Sequence, residues 1–107
     1  MWTYRCKLVR VVDGDTAVVL VDLGFNTTRE IDVRIYGVDT PERGQKDWQR
    51  ATDFHRSWWD VLDDVEWPAV IETKKTDKYG RYVGTISTHE SPTLNQYLGE
   101  WATTKWG

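Results

Sequence analysis

Apolar and polar residues alternate with a period of two along the first third of the chain, which is the pattern of half-buried β-strands. Three strands are predicted there, at residues 4–12 (YRCKLVRVV), 16–23 (TAVVLVDL) and 30–37 (EIDVRIYG). The third strand alternates most cleanly, with Ile31, Val33 and Ile35 on one face and polar side chains such as Arg34 on the other. The alternation slips over residues 9–12, which predicts a β-bulge or strong bend in the first strand.

The apolar period changes to that of a helix between residues 47 and 62. At roughly 100° per residue, one stripe of this helix collects apolar side chains. They are Trp48, Ala51, Phe54, Trp58 and Leu62, with Trp59 at the margin. His55 falls within the stripe, and no second metal-binding residue is spaced with it. We therefore interpret His55 as a hydrogen-bonded histidine at the boundary of the core rather than as a metal ligand.

Two more strands are predicted after the helix, at residues 69–74 and 81–87, and a short helix follows them. Ser91 is its predicted N-cap, with Pro92 at the first helical position. The order of three strands, a helix, two strands and a helix predicts an α+β, mainly β fold. Its expected form is a five-stranded OB-fold barrel with a helix between strands 3 and 4 and a short C-terminal helix.

Composition limits the classes of function. The 107 residues predict a single domain over 1–107, and seven Trp, five Tyr and two Phe supply a compact core. The formal charge of −3 means that a polyanion must meet a local basic patch or a bound cation. Cys6 lies in an alternating run and is interpreted as a core thiol, because a lone cysteine forms no internal disulfide. No run approaches the ~18 apolar residues of a membrane span, and no signal-peptide pattern is present, so we expect a cytoplasmic monomer.

Three short motifs carry groups that could do chemistry: DGDT at 13–16, DTPE at 39–42 and DKYGR at 77–81. Each has an ordinary structural interpretation when taken alone. Asp-Gly is a strong hairpin turn signal. DTPE could begin a helix with Thr40 as its N-cap, and DKYGR could be a polar turn. The first interpretation is compatible with function, since the turn would place Asp15 just past its tip.

Four stretches in one order carry a family resemblance: DGDT (13–16), VRIYGVDTPE (33–42), DKYGR (77–81) and LNQYLGEWA (94–102). Together they resemble the staphylococcal nuclease-like (thermonuclease) family over about residues 5–106. The resemblance implies a calcium-dependent phosphodiesterase on an OB barrel. Such an enzyme cleaves DNA and RNA with little sequence preference and leaves 3′-phosphates.

The resemblance also implies a calcium site. Asp15 and Asp39 occupy the positions of the calcium carboxylates, and the backbone carbonyl of Thr40 that of a third protein ligand. Two carboxylates and a carbonyl suit Ca²⁺, which is a hard cation that prefers oxygen ligands. A cation held there would neutralise and orient a phosphate group.

Catalytic and substrate-binding roles are implied in the same way. Glu42 resembles the general base, and Arg34 and Arg81 resemble two phosphate-binding arginines. Arginine suits this task because its fork of donors matches phosphate oxygens and stays charged. The resemblance assigns three further residues to substrate binding, namely Lys78 and Tyr79 at a terminal phosphate and Trp106 at a base.

Some features depart from the family pattern. The hairpin after Asp15 is longer than usual, the segment after Glu42 is short, and the last helix is brief. We expect a DNA or RNA substrate, single-stranded or locally open, because a narrow cleft admits one strand more easily than a duplex. The alternative is a non-catalytic module of the same fold that binds nucleic acid or a protein partner. A third interpretation, a small acidic protein that binds a cellular factor, explains the charge but not the motifs.

Overall fold

The computed structural model describes residues 2–41, 43–62, 64–76, 80–88 and 93–105. Its elements are β1 (Trp2–Asp13), β2 (Thr16–Asp22), β3 (Thr28–Ile35), α1 (Trp48–Asp60), β4 (Ala69–Thr76), β5 (Tyr82–Ser87) and α2 (Leu94–Lys105). The five strands close into a barrel in the order β1-β2-β3-β5-β4. The β3–β5 pair is parallel, whereas β1–β2, β2–β3, β1–β4 and β4–β5 are antiparallel. The predicted barrel, with one helix between β3 and β4 and a short C-terminal helix, is confirmed.

The bulge predicted in β1 is also confirmed. The pairing of β1 with β2 shifts register between Leu8 and Arg10 and again between Val11 and Asp13. Each extra residue bends the strand and increases its twist, which helps a small sheet to close. A further shift lies between Thr73 and Lys75 of β4.

The inward positions of the strands form the core of the barrel. Val33 and Ile35 of β3 are fully buried, as are Ile71 of β4 and Ile86 of β5. Cys6 is likewise fully buried, which confirms the interpretation of a core thiol. Burial raises the pKa of this thiol to about 12, because the thiolate would lose its hydration inside the barrel.

Helix α1 packs against β1 and buries Ala51 and Trp58 of the predicted apolar stripe, whereas Trp48 and Phe54 are partly buried. Trp58 and Trp59 are both buried and meet edge to face, with ring centroids 5.0 Å apart. Trp59 therefore belongs to the core rather than to the margin of the stripe. Phe54 stacks on Tyr97 of α2 with centroids 4.5 Å apart, so the two helices share an aromatic contact.

Helix α2 begins at Leu94 and is capped by the residue before it. The Thr93 hydroxyl accepts the Gln96 N–H (3.1 Å), and the Gln96 side chain accepts the Thr93 N–H (3.1 Å). This reciprocal pair is a capping box. The predicted cap, Ser91, lies outside the described residues together with Pro92. Within the described ranges, neither helix has the length and apolar character that a membrane crossing needs.

Candidate active site

The turn between β1 and β2 presents Asp15 at one end of the barrel. The Asp13 carboxylate accepts the N–H of Asp15 at 3.1 Å, which fixes the shape of the turn. Gly14 is needed here because a Cβ would lie 2.8 Å from the Thr40 Cβ and 2.9 Å from the Ala51 Cβ. The turn interpretation of Asp13-Gly14 is therefore confirmed, and the turn also brings Asp15 against residues 38–40.

Asp15 is a buried carboxylate with several polar contacts. It is 6% exposed, and its two oxygens accept from different groups. Oδ1 accepts the Thr16 hydroxyl at 3.0 Å, and Oδ2 accepts the Thr40 N–H at 3.4 Å. Burial raises the pKa of Asp15 to about 6, the hydrogen bond and charge of Asp13 add to this, and the charge of Arg34 opposes it. At this carboxylate the effect of burial thus outweighs the favourable charge of Arg34.

Arg34 lies between the two predicted calcium carboxylates. Its Nη1 is 3.5 Å from Oδ2 of Asp15, and its Nη2 is 3.8 Å from Oδ1 of Asp39. Nη1 also donates to the carbonyls of Val38 and, at 3.3 Å, Ile35. The Asp39 side chain is 96% exposed, so the cluster runs from a buried carboxylate to one at the surface.

Arg81 joins this cluster through a residue that the sequence analysis did not assign. Its Nη1 donates to the Thr16 hydroxyl at 3.4 Å, and that hydroxyl in turn donates to Asp15. Thr16 is paired with Arg34 across β2 and β3. The Thr16 hydroxyl, which contacts both Asp15 and Arg81, therefore lies on the strand next to Arg34. The signal for Thr16 was its place directly after Asp15, since neighbouring residues at a strand start can share one site.

The helix-start interpretation of DTPE is wrong. No helix begins within the described residues 38–41, and α1 begins at Trp48, where Asp47 precedes it in the left-handed conformation without a side-chain cap. Thr40 is instead buried against Gly14, and its hydroxyl has no hydrogen-bond partner among the described residues. Close packing against the β1–β2 turn holds residues 38–40 at the barrel, where the Thr40 N–H contacts Asp15.

Four predicted site residues lie outside the described residues: Glu42, Lys78, Tyr79 and Trp106. Their roles stay predictions. The structure does bring together the predicted Asp15, Arg34, Asp39, Thr40 and Arg81, which come from three separate motifs of the sequence.

His55 of α1 holds the β1–β2 turn by a hydrogen bond to its main chain, and both of its ring nitrogens are occupied by hydrogen bonds. Its Nδ1 donates to the Asp13 carbonyl at 2.8 Å, and its Nε2 accepts the Trp59 indole N–H at 3.2 Å. Both ring nitrogens are therefore used by the neutral tautomer that carries its proton on Nδ1. The predicted hydrogen-bonded histidine is confirmed, although it is fully buried rather than at the boundary. Burial lowers its pKa to about 4.

The donor chemistry of the cluster fits a hard cation. Within the described ranges, no three His, Cys, Asp or Glu side chains are grouped as a metal site. Calcium, however, also accepts backbone carbonyls and water as ligands. Asp15 is buried and Asp39 is exposed, so the two carboxylates offer oxygen ligands from the interior and from the surface of the barrel. The oxygens of Asp15 and Asp39 are thus of the type that suits Ca²⁺, and the carbonyl of Thr40 stays a predicted third ligand.

Comparison with known proteins gives two related sequences. No family model matches the chain. It is 33% identical to Protein ParB of Escherichia coli over 88 residues, which cover 77% of this chain and 41% of that protein. It is also 33% identical to Micrococcal nuclease of Shigella flexneri over 85 residues, covering 78% of this chain and 42% of the nuclease. The chain thus spans about two fifths of the length of these curated relatives. It is similar to a micrococcal nuclease, and its closed five-stranded barrel fits a staphylococcal nuclease-like OB-fold.

Proposed function

We propose that this chain belongs to the staphylococcal nuclease-like family and is a Ca²⁺-dependent nuclease. It hydrolyses phosphodiester bonds of DNA or RNA with low sequence specificity and leaves 3′-phosphates. The observation that carries the proposal is one connected cluster, in which Asp15 contacts Arg34 directly and Arg81 through Thr16. Similarity to a micrococcal nuclease supports the same conclusion.

Asp15, Asp39 and the backbone carbonyl of Thr40 would hold the calcium ion in this proposal. When bound, it would supply positive charge to neutralise and orient the scissile phosphate. Asp15 is well suited to such a site because it is buried and fixed by the Thr16 hydroxyl and the Thr40 N–H. Asp39 supplies the exposed side, from which substrate arrives.

The arginines stabilise the negative charge that develops on the phosphate oxygens. Arg34 is held through Nη1 by the Val38 and Ile35 carbonyls, so its fork is anchored before substrate binds. Arg81 approaches the same point from the start of β5 through Thr16. Preorganised donors of this kind lower the barrier because they need little rearrangement during the reaction.

Glu42 takes a proton from the attacking water, as general base. The water oxygen forms a bond to phosphorus, and the bond from phosphorus to the 5′ oxygen breaks. The electron pair of that bond goes to the 5′ oxygen, which takes a proton from solvent and leaves as a 5′-hydroxyl, while the phosphate stays on the 3′ side. Lys78 and Tyr79 bind a terminal phosphate, and Trp106 contacts a base. These four assignments rest on the sequence resemblance.

The test is direct cleavage of single-stranded DNA by the purified protein, with Ca²⁺ and with a chelator in excess. The proposal predicts fragments that end in 3′-phosphate with Ca²⁺ and intact DNA with chelator. Intact DNA under both conditions, or equal cleavage under both, would overturn it.

A binding module without catalysis is the second candidate. It is favoured by one observation: Arg34 already faces two carboxylates, so the cluster balances much of its own charge. Such a module would bind a labelled oligonucleotide and leave it intact with Ca²⁺ present.

A further inference from the structure

We propose that Tyr36 and Lys74 form a subsite on which an unpaired nucleobase of the substrate stacks, next to the phosphate-binding arginines. The inference rests on the proposed nuclease function and deepens it, because it names the substrate as a strand with an accessible base. The subsite lies at the end of β3, which also carries Arg34 of the cluster.

Tyr36 follows Arg34 by two residues and lies on the same side of the chain. Val33 and Ile35 are fully buried inside the barrel, while Arg34 is half-buried and Tyr36 exposed. Two residues of extended chain separate their Cα atoms by about 7 Å. Tyr36 is 52% exposed, which makes it a large aromatic surface open to solvent beside a phosphate-binding position.

The main chain of Tyr36 is held on both sides. Its N–H donates to the Gly84 carbonyl of β5 at 2.9 Å, and its carbonyl accepts the Asn95 side-chain amide at 2.8 Å. Asn95 is itself fixed, because its side-chain oxygen accepts the Ile86 N–H at 3.1 Å. These bonds fix the main chain from which the ring extends, so a ligand that stacks on it needs to restrict only the Tyr36 side chain.

Lys74 supplies positive charge at the same place. Its Nζ lies 4.9 Å from the centroid of the Tyr36 ring, and its side chain is exposed. The register shift between Thr73 and Lys75 leaves Lys74 out of the regular β4–β5 pairing. An aromatic ring with an adjacent cation is the combination that binds single strands, since the ring stacks a base and the cation attracts the backbone.

This subsite has a consequence for substrate choice. A base that stacks on Tyr36 cannot remain stacked within a duplex, so the subsite favours single strands or locally open nucleic acid. Every base has a flat face, so stacking gives no sequence preference. Both properties agree with the proposed low-specificity nuclease.

The experiment measures KM and kcat on short oligonucleotides that contain one cleavable phosphodiester. All their other linkages are uncharged methylphosphonates. One substrate carries thymine on both sides of that linkage, and the other two carry an abasic residue on one side. We expect Tyr36→Ala to raise KM for the thymine substrate about tenfold and to change kcat less than twofold. Tyr36→Phe should behave like the parent, because the ring rather than the hydroxyl makes the contact.

Phe25→Ala is the matched control. Phe25 is a fully exposed aromatic in the β2–β3 turn. Its replacement therefore measures the effect of losing an exposed ring that does not belong to the subsite. It should leave KM unchanged. One of the two abasic substrates lacks the base that stacks on Tyr36. On it the parent should have a KM as high as that of Tyr36→Ala on the thymine substrate, and Tyr36→Ala should raise KM no further. Lys74→Gln should weaken binding more at low salt than at high salt.

The inference is overturned if Tyr36→Ala keeps the parental KM, or if it weakens thymine and both abasic substrates equally. A parent that does not cleave overturns the proposed function, and anisotropy of a labelled oligonucleotide then decides the subsite. Weaker binding by Tyr36→Ala than by Phe25→Ala supports the subsite, whereas equal binding by the two variants, or no binding by the parent, overturns it.

Discussion

At the scale of the residue, Asp15 is the group whose environment most clearly points to function. A carboxylate that is 6% exposed is costly, and its pKa of about 6 shows that Arg34 compensates only part of that cost. Strongly shifted carboxylates beside a charge partner are typical of functional sites. The burial of Asp15 is explained if a cation binds it during function.

Replacement of Glu42 by Gln separates catalysis from helix capping. No helix begins within the described residues 38–41 and 43–47, since α1 starts at Trp48. We expect E42Q to melt within a few degrees of the parent. Its kcat on single-stranded DNA should fall about 10²- to 10⁴-fold, because Gln cannot take a proton near neutral pH. A parental kcat would remove Glu42 from the catalytic role.

At the scale of the element, α1 positions the turn that carries Asp15. Ala51 lies where a side chain on Gly14 would have to go, and His55 holds the Asp13 carbonyl. The helix and the β1–β2 turn therefore form one packed unit. A change in this contact should alter stability and the proposed calcium site together.

Gly14→Ala tests the close approach of the turn to α1. The added methyl group would overlap Thr40 and Ala51, and overpacking of this kind typically costs about 1–3 kcal/mol. Calcium affinity should also fall, since the turn must move. Gly99→Ala in α2 is the control, because no atom of the described residues lies within 4 Å of a Cβ at that position, and the change should add about 1 kcal/mol to stability. Urea unfolding and calcium titration measure both effects, and a Gly14→Ala variant as stable as the parent would contradict this packing.

His55 should make stability depend on pH. Its pKa is about 4 in the folded protein against 6.5 in the unfolded chain, so the unfolded chain takes up the proton first as pH falls. The contribution of His55 to the free energy of unfolding should therefore decrease by about 3 kcal/mol between pH 6.5 and pH 4. The raised pKa of Asp15 acts in the opposite direction below pH 6, so the His55 contribution must be isolated by comparison with a variant. His55→Asn keeps a donor toward Asp13 without a titrating ring. The stability difference between parent and His55→Asn, measured by urea unfolding in chelator, should shrink over this range; a constant difference would argue against a buried neutral His55.

At the scale of the whole molecule, the barrel was predictable because period-two and helical patterns are local. Cys6, Val33 and Ile35 alternate with polar neighbours, so their burial follows from the strand pattern. The irregular segments were less predictable. Thr40 follows the rules for an N-cap, but tertiary packing against Gly14 overrides that preference.

The residues that form the cluster could be predicted from the sequence, but the contacts between them could not. Asp15, Arg34 and Asp39 could be assigned from the motifs, whereas the contact of Arg81 with Thr16 depends on strand pairing across the barrel. The second bond of His55, to Trp59, likewise needs the folded helix. Net charge was a poor guide, since a formal −3 says nothing about where the arginines meet.

The most direct test of the central claim is the rate of single-stranded DNA cleavage as a function of Ca²⁺ concentration, for the parent and for Asp15→Asn. The account predicts saturating, Ca²⁺-dependent cleavage by the parent and a loss of at least about 10²-fold in Asp15→Asn, because the buried ligand has lost its charge. The variant should remain at least as stable as the parent in chelator, since it no longer buries a carboxylate. Parental cleavage by a folded Asp15→Asn protein would contradict the claim that this cluster is a calcium-dependent active site.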